Sequence, residues 1–225
     1  MSVDIDVRDD AASFVAKWRA RWPEWEFGMV FVPAAQRPRV EAWLTLLQEL
    51  TDAAWGGADP TPGLAKLAWW QEELVGWSKG ARRHPLGAPL QPVAAPWQAL
   101  GRALPDLRAL RGGDGDGSAD VDAAAGQAFA AAVADCEAVL FGGREVDVDA
   151  RSAVLASLLG ERALLRVASM DAIDGVDDAS VAAHPGCAPR GIQAALVAAR
   201  LRRAPGPLRP LGALFAAWRG ARSAA

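Results

Sequence analysis

Residues 66–86 read KLAWWQEELVGWSKGARRHPL, and their spacing decides the fold class. Leu67, Trp70, Leu74 and Trp77 follow one another at intervals of three, four and three, so they share one face of an α-helix. The spacing predicts a helix that buries this stripe. Lys66, Trp69 and Glu73 lie three and four apart on the neighbouring face, which makes them the candidates for lining a cavity or meeting a partner. Gly80 is placed to cap the helix, and Arg82, Arg83 and His84 follow near the negative end of its dipole. Adjacent tryptophans beside two acids fit a catalytic wall, a partner surface or plain core packing.

The same period extends in both directions. Upstream, Trp43, Leu46, Leu47 and Leu50 repeat it, and WGGADPTPG at 55–63 interrupts it with residues that cannot continue a helix. A first helix is expected from Asp10 to Trp22, with Phe14, Lys17, Trp18 and Arg21 on one face and Pro23 as its stop. Downstream, a short helix is expected at about 96–110, followed by the loop RGGDGDGSADVD at 111–122, expected to be flexible. Phe129, Val133, Cys136 and Leu140 form the next stripe. Asp147 or Asp149 can cap the helix that carries Leu155, Leu158, Leu159 and Leu165. A polar stretch at 171–189 leads to the basic helix RGIQAALVAARLRRA and a last short helix holding Trp218. No strand pattern and no fixed repeat occurs. The expectation is an all-α chain of seven or eight helices in a single domain over 1–225.

Composition narrows the function classes. Of 225 residues 52% are hydrophobic, enough for a sizeable core. A net charge of −3 gives no overall footprint for nucleic acid. Two cysteines far apart do not make a disulfide framework, and the expected compartment is the cytoplasm. The start, MSVDIDVRDDAASF, is acidic and lacks the apolar core of a signal peptide, and no apolar run is long enough to span a bilayer.

Four groups of residues have types suited to chemistry. DGDGSADVD alternates acids as a calcium loop does, but its sixth and twelfth positions from Asp114 are Ala119 and Ala125, where such a loop needs glycine and glutamate. Asp171, Asp174 and Asp177 in DAIDGVDD are three apart, with Asp178 adjacent, and on a helix would nearly align to hold magnesium with waters and a substrate phosphate, though Gly175 and the lack of apolar periodicity argue for a loop or cap. Glu49 and Asp52 share a helix face and either hold a hard cation or face water. Arg200, Arg202 and Arg203, with Arg190 upstream, either clamp a diphosphate or form a solvated basic face. His84 and His184 both precede proline and lack ligand-spaced neighbours.

Residues 27–92 resemble the N-terminal half of the squalene/phytoene synthase family. The resemblance is carried by Phe31, Pro33 and Arg37 in an F-x-P-x-x-x-R entry. Lys66, Trp69, Trp70 and Glu72 then occupy the following helix, and Gly80, His84, Pro85 and Leu90 its close. It implies an isoprenoid-synthase-like helical bundle, shortened here. Active members condense two prenyl diphosphates in terpenoid biosynthesis, and two aspartate-rich motifs hold the Mg2+ ions that help diphosphate leave. The chain departs from both motifs. TDAAW at 51–55 keeps only Asp52 of D-D-x-x-D. In LASLLGERALLRVASMD at 155–171, Arg166 stands at the family's arginine, Val167 replaces the first acid and only Asp171 is left to serve as the last.

The resemblance therefore implies a pseudoenzyme that binds an apolar, isoprenoid-like molecule or acts as a partner-binding scaffold, as relatives that assemble respiratory complex I do. Peripheral proximity to a membrane is compatible with either. No cofactor is then expected. The alternative is an active prenyltransferase, with Glu49, Asp52, Asp171 and Asp174 on Mg2+ and Arg166 and Arg200 clamping diphosphate. A third possibility is a helical protein whose likeness to the family is superficial.

Overall fold

The computed structural model describes residues 3–111, 125–142, 146–168, 186–203 and 206–223. The chain is all-α, and no strand occurs among the described residues. Its helices are α1 (Val3–Arg21), α2 (Trp25–Gly28), α3 (Arg37–Trp55), α4 (Thr61–Trp77), α5 (Gly87–Leu90) and α6 (Trp97–Arg102). They continue with α7 (Leu104–Ala109), α8 (Gln127–Phe141), α9 (Val148–Ala168), α10 (Ala188–Leu201) and α11 (Pro210–Ser223). The helix expected at 96–110 is two. Pro105 lies in the first turn of α7, where its missing N–H costs nothing, whereas inside one continuous helix it would break the ladder. The DGDGSADVD loop, DAIDGVDD and His184 lie outside the described residues.

The chain divides into two compact units. One takes in the chain up to Trp18 together with Glu41–Cys136, and the other Arg19–Val40 and the chain from Glu137 on.

In the first unit, Ala42 to Thr51 on α3 are buried without a break, the mark of a helix surrounded by protein. Helix α4 runs antiparallel beside it. Lys66 of α4 bonds Glu49 of α3, and three residues earlier Gly63 comes so close that a Cβ there would lie 2.2 Å from the Ala53 carbonyl. The α4 stripe of Leu67, Trp70, Leu74 and Trp77 is buried as its spacing predicts. It continues into an aromatic core. Trp77 meets Trp70 and Trp97 edge-on at 6.4 and 5.1 Å, and Trp43 lies 6.2 Å from Trp97. Such pairs add about 0.5–1.5 kcal/mol each beyond the area they bury. Gly80, at φ +83°, ends α4. The Ala81 N–H bonds the Gly76 carbonyl and the Gly80 N–H the Trp77 carbonyl, which is the Schellman arrangement.

In the second unit, α10 packs against α9 and α11, and α11 also against α2. Asp147 caps α9 by accepting the Ala150 N–H at 2.8 Å. Helices α10 and α11 approach so closely that a Cβ on Gly220 would lie 2.2 Å from the Gly191 carbonyl oxygen.

Candidate functional site

The first unit gathers charge around one buried carboxylate. Glu49, on the buried stretch of α3, binds Lys17 of α1 through Oε1 at 3.1 Å and Lys66 of α4 through Oε2 at 2.5 Å. Asp52, one turn on, binds the same Lys17 at 3.2 Å. Burial works against the charge of Glu49, but Lys66 and Lys17 outweigh it and hold the carboxyl below its ordinary value. Burial likewise opposes the charge of Lys17, and Glu49 and Asp52 reverse that effect and raise it. Two ammonium groups face two carboxylates, so the cluster is neutral overall.

The pair Glu49 and Asp52 expected from sequence is thus brought together, on lysines. A magnesium ion is usually held by one or two carboxylates together with waters and substrate phosphate oxygens. The described residues hold no group of three or more His, Cys, Asp or Glu side chains able to bind a metal. Around Glu49 and Asp52 the carboxylate oxygens are engaged by the ammonium groups of Lys17 and Lys66. Asp171 and Asp174 lie outside the described residues, and of Arg166 only its place on α9 is described.

Beside the cluster stands a polar set with open valences. Thr45 Oγ1, both amide atoms of Gln48 and the Trp70 indole nitrogen are buried without a hydrogen-bond partner. Thr45, Gln48, Glu49 and Asp52 are spaced three, one and three, so they form one stripe along α3. The antiparallel register that pairs Glu49 with Lys66 brings Trp70 level with Thr45, one turn further along. An unpaired buried polar atom costs about 1–3 kcal/mol, and several together in native proteins call for water or a ligand.

An aromatic wall adjoins this stripe. The His84 ring lies 4.5 Å from Trp70, 5.8 Å from Trp69 and 4.7 Å from Phe14 of α1. Its Nδ1 accepts the Leu86 N–H at 3.2 Å. Trp69 is partly exposed, with Arg83 5.3 Å above its ring.

Glu73 differs from its expected place. It is buried, and its Oε1 accepts the Trp77 indole N–H at 2.8 Å and the backbone N–H groups of Arg83 and His84 at 2.8 and 2.7 Å. Oε2 accepts Arg83 Nε at 2.9 Å. Burial opposes the charge, but the His84 and Arg83 N–H groups and Trp77 outweigh it, so the carboxyl is held below its ordinary value. Glu73 thus anchors the turn that follows α4.

Arg200, the other clamp candidate, is committed within the second unit. Its Nε and Nη2 bond Glu24 at 2.8 and 2.5 Å, Nη2 also reaches the Arg21 carbonyl, and the guanidinium lies 4.3 Å over Trp22. Sequence reasoning missed a buried polar network in this unit. Arg190 is 1% exposed and grips Glu137 with Nε and Nη2, at 2.6 Å for the shortest bond, while Nη1 reaches Ser157 at 3.3 Å. Gln193 donates to Glu161 at 2.9 Å and accepts from Trp25 Nε1 at 2.7 Å. Burial pushes the Glu161 carboxyl up, against the pull of Arg190. Arg190 did stand out as a basic residue, but spacing alone gives no sign of partners 33 to 53 positions away.

Compared with known protein families, with curated proteins and with solved structures, the chain gives no match in any of the three.

Proposed function

We propose that this chain is a diverged, non-catalytic relative of the squalene/phytoene synthases that binds an apolar, isoprenoid-like molecule through an uncharged polar end. The observation that carries the reading is the double lysine lock on Glu49. In a working site of that family a carboxylate in this region must be open to metal, so that the metal can stabilise departing diphosphate. Here Lys17 and Lys66 occupy both Glu49 oxygens, and Asp52 shares Lys17.

The polar stripe supports the nature of the ligand. Thr45, the Gln48 amide and the Trp70 N–H offer neutral donors and acceptors beside an aromatic wall. That set suits a hydroxyl or carbonyl on an apolar chain. A diphosphate would need surplus positive charge, and the neighbouring lysines are already neutralised.

Two measurements test this. Incubation with farnesyl or geranylgeranyl diphosphate and Mg2+ is expected to release no pyrophosphate. Farnesol or geranylgeraniol is expected to bind, read by tryptophan fluorescence, and Gln48→Leu is expected to weaken that binding by roughly tenfold, the worth of one buried hydrogen bond. Pyrophosphate release with a head-to-head product, or Mg2+-dependent binding of the diphosphate in preference to the alcohol, would overturn the reading.

A further inference from the structure

Helix α11 is packed the wrong way round for a purely structural helix. Its buried face is Ala213, Ala216, Ala217 and Gly220, all small, spaced three, one and three. The close approach of Gly220 to the Gly191 carbonyl explains why: nothing larger fits between α11 and α10. The large apolar residues stand opposite. Leu211 is 81% exposed, Leu214 37%, Phe215 59% and Trp218 39%. They too are spaced three, one and three, so they form one continuous ridge, about 10 Å long from Leu211 to Trp218. Phe215 and Trp218 lie against each other at 5.5 Å, and Arg222 extends the ridge, 5.0 Å over the Trp218 ring. A contiguous exposed apolar face on one helix marks something that covers it.

Charge indicates what covers it. After Asp178 the chain carries seven arginines and no acidic residue, although its net charge is −3. Arg190 and Arg200 are tied to Glu137 and Glu24. Arg202, Arg203, Arg209, Arg219 and Arg222 are exposed. A second copy of the chain is a poor occupant, because two α11 ridges brought together would set arginine against arginine with no acid to pair. An aromatic and aliphatic ridge flanked by arginine matches a surface that is apolar beneath an anionic layer. With 14 residues α11 is too short to span a bilayer, and no described helix is long and apolar enough to do so.

We infer that α11 docks flat on an anionic phospholipid bilayer, with Leu211, Leu214, Phe215 and Trp218 in the acyl boundary and Arg219 and Arg222 among the headgroups. This inference does not depend on the ligand proposed above.

The test is flotation of the full-length protein with phosphatidylcholine vesicles, with and without phosphatidylglycerol. Binding is expected only to the anionic vesicles and is expected to weaken as salt rises. Phe215→Ser should lower the partition coefficient by roughly tenfold, from the apolar area it no longer buries. Arg219→Gln with Arg222→Gln should lower it by about tenfold or more. Leu211→Ser, at the most exposed position, gives a second apolar variant whose folding does not depend on the ridge, and circular dichroism checks each variant. No flotation with anionic vesicles would overturn the inference. So would equal binding to neutral vesicles, or partition unchanged in folded Phe215→Ser and Leu211→Ser. A dimer in size-exclusion chromatography that Phe215→Ser dissolves would overturn it in favour of self-association.

Discussion

Glu73 offers the sharpest test of how the first unit is held together. Truncation in Glu73→Ala removes the acceptor for three N–H donors at once, the Trp77 indole and the backbone groups of Arg83 and His84, and removes the closer of the two carboxylates that pair with Arg83. Buried donors left without acceptors cost about 1–3 kcal/mol each, and water can reach some of them at the turn, so a total of roughly 3–4 kcal/mol is expected. For a chain of this size each kcal/mol lowers the melting temperature by about 2–4 °C, so the variant should melt roughly 6–16 °C early. Glu73→Gln separates shape from charge. Its amide oxygen still accepts the three N–H bonds, while its NH2 faces Arg83 Nε, donor to donor, so a loss of about 1–2 kcal/mol is expected. Urea unfolding followed in parallel by tryptophan fluorescence and far-ultraviolet circular dichroism measures both.

The charge also predicts a pH dependence. The folded carboxyl titrates below its ordinary value of 4.5, so its stabilisation is present above that value. It is lost as pH falls from there through the lowered folded value. Glu73→Gln should therefore unfold with a shallower acid limb than the parent. Equal stability of Glu73→Ala and parent, within about 0.5 kcal/mol, would refute the role assigned to this carboxylate.

Other expectations follow from particular contacts. Replacing Lys17 and Lys66 together by Met leaves Glu49 buried without a countercharge, and a loss of about 3–5 kcal/mol in urea unfolding is expected, with each single variant costing less because one lysine remains. Glu161 has a raised folded pKa, so the folded state is penalised increasingly as pH climbs above 4.5. Glu161→Gln keeps the bond from Gln193 and should be more stable than the parent at about pH 7 but not near pH 4, and an equal difference at both pH values would count against the assignment. Gly220→Ala forces a methyl group to 2.2 Å from the Gly191 oxygen and should cost at least about 1–3 kcal/mol. Gly212→Ala on the same helix meets nothing within 4 Å and should stabilise by roughly 0.5–1 kcal/mol, which makes it the control for helix propensity.

Much of the secondary structure was legible in the sequence because it depends on neighbours a few positions apart. The stripe of Leu67, Trp70, Leu74 and Trp77, the Gly80 stop and the Asp147 cap follow from helical period and backbone geometry. Glu73 was misplaced for the converse reason. Its burial is set by N–H groups 10 and 11 residues later, which the turn after Gly80 swings back over the helix. The pairing of Glu49 and Asp52 was visible as i, i+3, but their shared contact with Lys17, 32 residues away from Glu49, was not.

By itself, then, the sequence determined an all-α chain, the faces its long helices bury and the absence of an overall basic footprint. The tertiary structure decided which charges meet. It set lysines on Glu49, closed Glu137 around Arg190, and turned the alanine face of α11 inward and its aromatic ridge outward. Helical period is a local property of the backbone, whereas the state of a buried carboxylate depends on the few ångströms around it, and distant segments fill that space.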